Sequence, residues 1–239
     1  MRWLKVLFGA ATSRQAVDLT HEQRELIANW RQLPSSDLNA PHAQQRYVVV
    51  DVESSGLDMK KDRLISIGAV ALVEGRLDFN DAFQVILRQA QVSTHANILI
   101  HGIGGSAQSE GVDPAEGLLA FMRYVGKAPL VAYHAFFDQS MIGKAMREYL
   151  GMEPDLPWMD LAWVLPDLFS FRGDANVPLD DWLHHFGIEN IQRHNAVSDA
   201  FATAKLLQVA IAGGLPKGAN SPASFMRIEK ARRWMHESR

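Results

Sequence analysis

The sequence predicts an α/β fold in which one mixed β-sheet is flanked by helices. Two patterns carry that expectation: three strand-like segments joined by short connections, and then an alternation of helical and strand-like segments. Length and composition agree. With 239 residues, 47% of them hydrophobic and 21% charged, the chain can bury a sizeable core and matches an ordinary globular protein. It contains no cysteine, which excludes disulfides and thiolate metal sites, so any metal must be held by oxygen or imidazole. A formal net charge of -3 argues against gripping nucleic acid through global positive charge, while leaving local patches open.

The opening MRWLKVLFGAATS has a cationic residue and a short apolar run, but Lys5 interrupts the run, and no secretory leader is expected. No segment reaches the length of a membrane span, so a cytoplasmic protein without membrane contact is expected. LTHEQRELIANWRQL predicts an amphipathic helix. Thr20 and Gln23 make a capping box, and Leu26, Ile27, Trp30 and Leu33 share one face. PSSDLNAPHAQQ follows as a polar linker, giving a helical extension over residues 1–45.

Residues 47–52 form the first predicted strand, RLISIGAVAL (63–72) the second and FQVILR (83–88) the third; their short connections predict an antiparallel meander. In VDPAEGLLAFMRYVG, Asp113 is the expected cap, Pro114 opens the first turn and Glu116 completes a capping box. PLVAY is a short buried strand, followed by a helix over about 137–150 that Gly151 stops. LPWMDLAWVL starts extended and turns helical, and PLDDWLHHFG is a short helix ended by Gly187. NAVSDAFATAKLLQVAIAGG is a long helix capped by Asn195 and stopped by Gly213 and Gly214. The main domain spans 46–212. The tail from 213 to 239 contains SFMRIEKARRWMHESR, with five Arg/Lys against two Glu, and reads as a solvated basic helix.

The chemistry centres on YVVVDVESSGLD. Asp51 and Glu53 stand two apart on a strand and therefore project from one face. With 27 acidic residues in 239, chance alone gives about three such pairs, so spacing by itself decides nothing. Two further acids change the balance: Asp138 opens a helix just after the strand LVAY, and Asp199 sits in the first turn of the long helix, with His194 five residues before it. Each has an ordinary explanation in helix capping. Four ionised carboxylates brought together repel and push one another's pKa values up, and two divalent cations resolve that conflict. Magnesium or manganese suits an all-oxygen site, and two such ions about 3.5–4 Å apart can clamp a phosphodiester displacement. A nearby histidine can then take the proton of the attacking water.

In this order the residues resemble the DEDDh group of 3′–5′ exonucleases, the DnaQ-like family that includes proofreading subunits of the DNA polymerase III epsilon type. VVDVESSGLD matches its first motif, YHAFFD its second and HNAVSD its third, where His194, Ala196 and Asp199 align; LIHGIGG resembles a further segment between the first two. The resemblance covers about 46–211. A sister group carries tyrosine four residues before the last aspartate; Asn195 stands there, so the histidine version fits. The resemblance implies a ribonuclease-H-like fold, a five-stranded mixed sheet with helices on both faces. It implies two Mg2+ or Mn2+ ions on Asp51, Glu53, Asp138 and Asp199, with Asp51 bridging, and His194 as general base. The substrate it implies is a single-stranded or frayed 3′ end of DNA or RNA, releasing nucleoside 5′-monophosphates, with a DNA polymerase subunit as a candidate partner. Ser55 and Leu57 would touch the terminal nucleotide, while His101 and Phe137 would help hold its sugar and base, with His134 as a further substrate-binding candidate; ordinary core packing suits Leu57 and Phe137 equally well.

The chain departs from the family at Tyr133 and His134, where the second motif opens with histidine and asparagine, and at Gly104, where threonine is usual. These positions flank the substrate strand and bear on substrate preference. Asp160 in WMDLA reads as structural, and His184 and His185 as surface or packing residues. An RNA-trimming enzyme of the same family is the alternative. A catalytically weak binding relative is disfavoured by the presence of all four acids and the histidine, and a phosphoacceptor domain by the meander that follows Asp51.

Overall fold

The computed structural model describes residues 17–169 and 177–238; the opening MRWLKVLFGAATS lies outside them. Its centre is a five-stranded sheet in the order β3-β2-β1-β4-β5. β1 (Arg46–Ser54), β2 (Leu64–Val73) and β3 (Arg76–Ile86) form the antiparallel meander, while β4 (Leu130–Ala132) and β5 (Trp158–Asp160) add in parallel on the other side of β1. This is the ribonuclease-H-like mixed sheet. β3 begins seven residues before the expected FQVILR, because the two-residue turn at Glu74 and Gly75 lets pairing start at once, with Val73 opposite Arg76.

β1 is the inner strand on which both faces depend. Val48, Val50 and Val52 point into one core, beneath α1 (His21–Gln32), α4 (Pro114–Val125) and α5 (Phe136–Leu150). Tyr47 and Val49 point into the other, beneath α6 (Leu161–Leu168), α7 (Leu179–His185), α8 (Ala196–Gly214) and α9 (Pro222–Glu237). Two short helices, α2 (His95–His101) and α3 (Gly105–Ser109), lie between β3 and α4. Among the described residues no helix is long and apolar enough to cross a membrane.

Local signals explain the flanking helices. α1 carries the reciprocal Thr20–Gln23 capping box and buries Ile27 and Trp30; the Trp30 indole N–H donates to the Met122 carbonyl at 2.9 Å. Leu33 leaves the expected face: it caps the C-terminus with an extended backbone and is 45% exposed. Asp113 caps α4 through the Ala115 N–H, but Glu116 does not close a box, because its carboxylate accepts from the Gln23 side chain of α1. Gly213 and Gly214 do not stop α8; they are its last residues, and Leu215 follows in helical conformation. Their small size matters instead. A Cβ on Gly213 would fall 2.3 Å from the Phe169 ring, and one on Gly214 would fall 2.9 Å from the Phe225 ring.

The basic C-terminal segment is not a solvated helix. α9 buries Phe225 completely, with its ring 4.6 Å from the buried His42 ring. It also sends Arg233 and Glu229 to β5, where Arg233 pairs with Asp160 at 3.0 Å and the Asp160 N–H donates to Glu229 at 3.0 Å. Charge composition suggested solvent exposure, yet two of the charges, Arg233 and Glu229, serve the buried Asp160. Phe225→Ala is therefore expected to lower the unfolding free energy by about 3–5 kcal/mol in chemical denaturation, the cost of emptying a large buried site; a loss within 0.5 kcal/mol would mark α9 as peripheral.

Candidate active site

The carboxyl ends of the parallel strands meet at one edge of the sheet, the place where open α/β sheets form their crevices. A cleft of about 620 Å³ opens there, walled by Asp51 and Glu53 at the end of β1, Leu57 beyond it, Tyr133 and His134 after β4, and Arg193, His194 and Asp199 at the start of α8. Asn97, Ile100 and His101 of α2 close one side, and Phe137, Pro178 and Leu179 complete the wall.

The strand period places the acids. Asp51 and Glu53 follow Tyr47 and Val49 on the face turned to α8, so both carboxylates meet Asp199 in the first turn of that helix. Among the described residues, Asp51, Glu53 and Asp199 form a group whose ligand oxygens all lie within 4.8 Å of one another. Asp138, in the first turn of α5, is buried behind this trio rather than lining the cleft, and its charge acts on Asp51. Burial, followed by the charges of Asp138, Asp199 and Glu53, pushes the Asp51 carboxyl well above its ordinary range, with Arg193 opposing. Asp138 is raised well above its range too, by burial first, against hydrogen bonds from backbone amides including that of Val52. Glu53 is pushed up to about 7, by burial and then by Asp199, again with Arg193 opposing.

Closely spaced, oxygen-only and only partly offset by Arg193, this donor set fits hard divalent cations such as Mg2+ or Mn2+. Without one, the carboxylates either keep protons or repel.

A backbone contact sets the spacing of the trio. In the β1–β2 register Asp51 stands opposite Gly68, on the same face of the sheet. A Cβ on Gly68 would lie 2.3 Å from the backbone of Ala196 and Val197 in the first turn of α8. The missing side chain is what lets the helix carrying Asp199 sit down on the strand carrying Asp51.

The remaining expected residues divide. His194 lines the cleft with φ 59°, a left-handed backbone that histidine adopts at a cost, and its N–H donates to Asp199 Oδ2 at 3.0 Å. His134 on the facing wall has φ 59° as well, and its N–H donates to Asp160 Oδ1 at 2.9 Å. Leu57 is 84% exposed at the rim, so it is not a core residue, whereas Phe137 packs partly on the core beneath the cleft. His101 reaches the cleft but is buried, with Nδ1 accepting from the Ile103 N–H and Nε2 facing the Ser93 hydroxyl at 3.4 Å. Ser55 does not line the cleft. Its hydroxyl donates to Asp62 Oδ1 at 2.8 Å and accepts from the Arg63 N–H, which ties the turn after β1. Its neighbours Ser54 and Gly56 both line the cleft.

Three features had no signature in the sequence pattern. Arg193 donates from Nη1 to Asp199 Oδ1 and from Nε to Asp180 Oδ1, both at 2.8 Å; Asn190 donates to the same Asp199 oxygen. Asp160, the expected structural acid, is buried and anchors His134, the N-terminus of α6 and Arg233 together. Tyr133 bonds its hydroxyl to the Val177 carbonyl and fixes the cleft wall beside Pro178. Only long-range contacts reveal these pairings.

Comparison with known proteins places this geometry. The family model RNase_T, described as Exonuclease, matches residues 48–207. The "DNA polymerase III PolC-type" of Clostridium perfringens is 32% identical over 171 residues, covering 68% of this chain and 11% of that protein. The corresponding Bacillus subtilis protein is 28% identical over 188 residues, covering 75% of this chain and 12% of that one. The chain thus spans about an eighth or less of the length of these relatives. Escherichia coli Exonuclease I, solved in complex with a dT13 oligonucleotide, has the same fold with a TM-score of 0.60 at 18% identity, covering 72% of this chain and 42% of that one. Exonuclease I from Methylocaldum szegediense is similar, with a TM-score of 0.60 at 17% identity over 70% of this chain and 40% of that one.

Two outcomes follow from the site geometry. A carboxyl whose folded pKa is raised favours the folded state below its unfolded pKa and loses that contribution as pH rises through the folded value. For Glu53 this window runs from 4.5 to about 7. Melting temperature in chelator should therefore fall between about pH 5 and pH 8; saturating Mn2+ should restore it, and Glu53→Gln should flatten the slope. A slope in chelator that Glu53→Gln leaves unchanged would contradict the assignment. Gly68→Ala should lift the first turn of α8 away from β1, weakening Mn2+ binding in calorimetry and lowering turnover about 100-fold, the scale expected for a misplacement near 1 Å. Parent-like metal affinity would show that the contact does not set the spacing.

Proposed function

The chain belongs to the DnaQ-like exonuclease family, and on that premise we propose that it removes nucleotides from the 3′ end of a single-stranded or frayed nucleic acid as 5′-monophosphates. The observation that carries this reading is the convergence of Asp51, Glu53 and Asp199 oxygens within 4.8 Å, with Asp138 buried behind them and His194 on the same cleft wall. Asp51, Glu53, Asp138 and Asp199 would hold two divalent ions. Such ions, when bound, supply Lewis-acid activation and offset the charge that develops on the phosphodiester.

The protein's own groups do the rest. His194, fixed through its amide by Asp199, accepts a proton at an imidazole nitrogen from the attacking water. Leu57 and Ile100 at the rim and Phe137 at the wall present apolar surface to the terminal base and sugar, which a frayed strand offers and a stacked duplex withholds. His134 lies opposite His194, placed to meet the strand. Bond cleavage frees the 3′ oxygen of the penultimate nucleotide and leaves the phosphate on the departing one. The names of the PolC-type relatives favour DNA, and a polymerase as partner, over RNA trimming.

The test is a digestion of 3′-labelled single-stranded DNA, duplex DNA with a mismatched end, and short RNA, each with Mg2+ or Mn2+. Labelled mononucleotide should appear first, and single-stranded and mismatched DNA should be preferred. Asp51→Asn should abolish release, and His194→Ala should cut turnover by about 10²–10⁴-fold while Mn2+ still binds. Internal cleavage, release from the 5′ end, or activity persisting in chelator would overturn the proposal.

A further inference from the structure

Among the described residues Arg193 is the cation paired with the acid cluster, and it competes for one of the two Asp199 oxygens that a metal could use. A carboxylate oxygen has two lone-pair positions, and both at Asp199 Oδ1 are engaged, one by Arg193 Nη1 at 2.8 Å and one by the Asn190 amide. The other oxygen accepts the His194 N–H at 3.0 Å. A divalent ion that takes Asp199 Oδ1 therefore has to displace a donor. Of the two at that oxygen, the guanidinium is the one that like charge would drive off, and its long side chain, 36% exposed, has room to move.

The second anchor points the same way. Arg193 Nε bonds to Asp180 Oδ1 at 2.8 Å, and Asp180 lies in the first turn of α7 with its side chain 58% exposed. That pair is the weaker holding point, since exposed ion pairs contribute little. Arg193 itself lines the cleft where a phosphodiester must lie. Planar guanidinium groups match phosphate oxygens as well as they match carboxylates.

We propose that Arg193 is a partner-exchanging residue: it pairs with the acid cluster through Asp199, yields that oxygen to the metal, and then binds a backbone phosphate of the substrate strand. Its charge is felt at Asp51 and Glu53, where it works against the upward push on both carboxyls. The inference rests on the reading of these acids as metal holders. It goes further in assigning the guanidinium two successive anionic partners.

The test uses the full chain without turnover. Calorimetric titration with MnCl2, in the absence of nucleic acid, compares the parent with Arg193→Met and Asp180→Asn. Removing a competing charge-assisted hydrogen bond should tighten Mn2+ binding by about tenfold or more in Arg193→Met, and Asp180→Asn, which loosens the anchor but keeps the cation, should fall between. With Ca2+ in place of a catalytic ion, binding of a fluorescent single-stranded oligonucleotide should weaken about tenfold in Arg193→Met through the lost phosphate contact. Metal affinity that is unchanged or weaker in Arg193→Met overturns the competition, and unchanged oligonucleotide affinity overturns the phosphate contact. Absence of Mn2+ binding by the parent itself would instead overturn the metal-site reading.

Discussion

The concentration of negative charge at the end of β1 is the constraint around which the rest of this structure is arranged. Asp51, Glu53, Asp138 and Asp199 converge here, and burial pushes the carboxyls of Asp51, Glu53 and Asp138 upward. Three helices begin at this edge of the sheet: Asp138 lies in the first turn of α5, Asp199 in the first turn of α8, and Asp160 caps α6. Positive helix N-termini soften the conflict without removing it, since each offsets only part of a charge. The sheet supplies rigidity, with Tyr47 to Val50 almost wholly buried on either face. A site with so much uncompensated charge must be forced into shape by the fold, and its charge must be met by something from outside.

Much of this was legible in the sequence because it depends on local patterns. A two-residue strand period is enough to put Asp51 and Glu53 on one face, and the capping preferences of Asp113, Asn195 and Thr20 mark real helix starts. What escaped depends on partners distant in the chain. Arg233 is 73 residues from Asp160, so a basic tail looked solvated when it was completing a buried ion pair. Glu116 looked like half of a capping box, but Gln23 competes for it from another helix. Ser55 carries the family's motif position, yet its hydroxyl is consumed by Asp62 in closing the turn. Gly213 and Gly214 carry the usual signature of a helix stop, but the rings of Phe169 and Phe225 give them a different reason to be small.

The two histidines of the cleft show how the surroundings enforce costly backbone geometry. His134 and His194 both hold a left-handed conformation, and in each case the amide N–H donates to a carboxylate, that of Asp160 or that of Asp199. Such strain persists only where several contacts over-determine it. On the His134 side those contacts extend through Asp160 to Arg233 and Glu229 on the last helix. A segment remote from the cleft thus helps shape its wall.

The contact between Gly68 and the first turn of α8 has a consequence of a different kind. Spacings set by attraction and repulsion between charges stretch or shrink with ionic strength, protonation and ligand loading, because screening changes the force. A spacing set by atoms that already touch does not, since short-range repulsion rises too steeply to be moved by a few units of charge. The meeting of strand and helix at Gly68 acts as a mechanical stop, so the frame holding Asp51 and Asp199 keeps one length whether the cluster is protonated, ion-paired or metal-loaded. Loading then becomes a matter of side chains turning on a fixed frame, and little ordering of the backbone is left to oppose it.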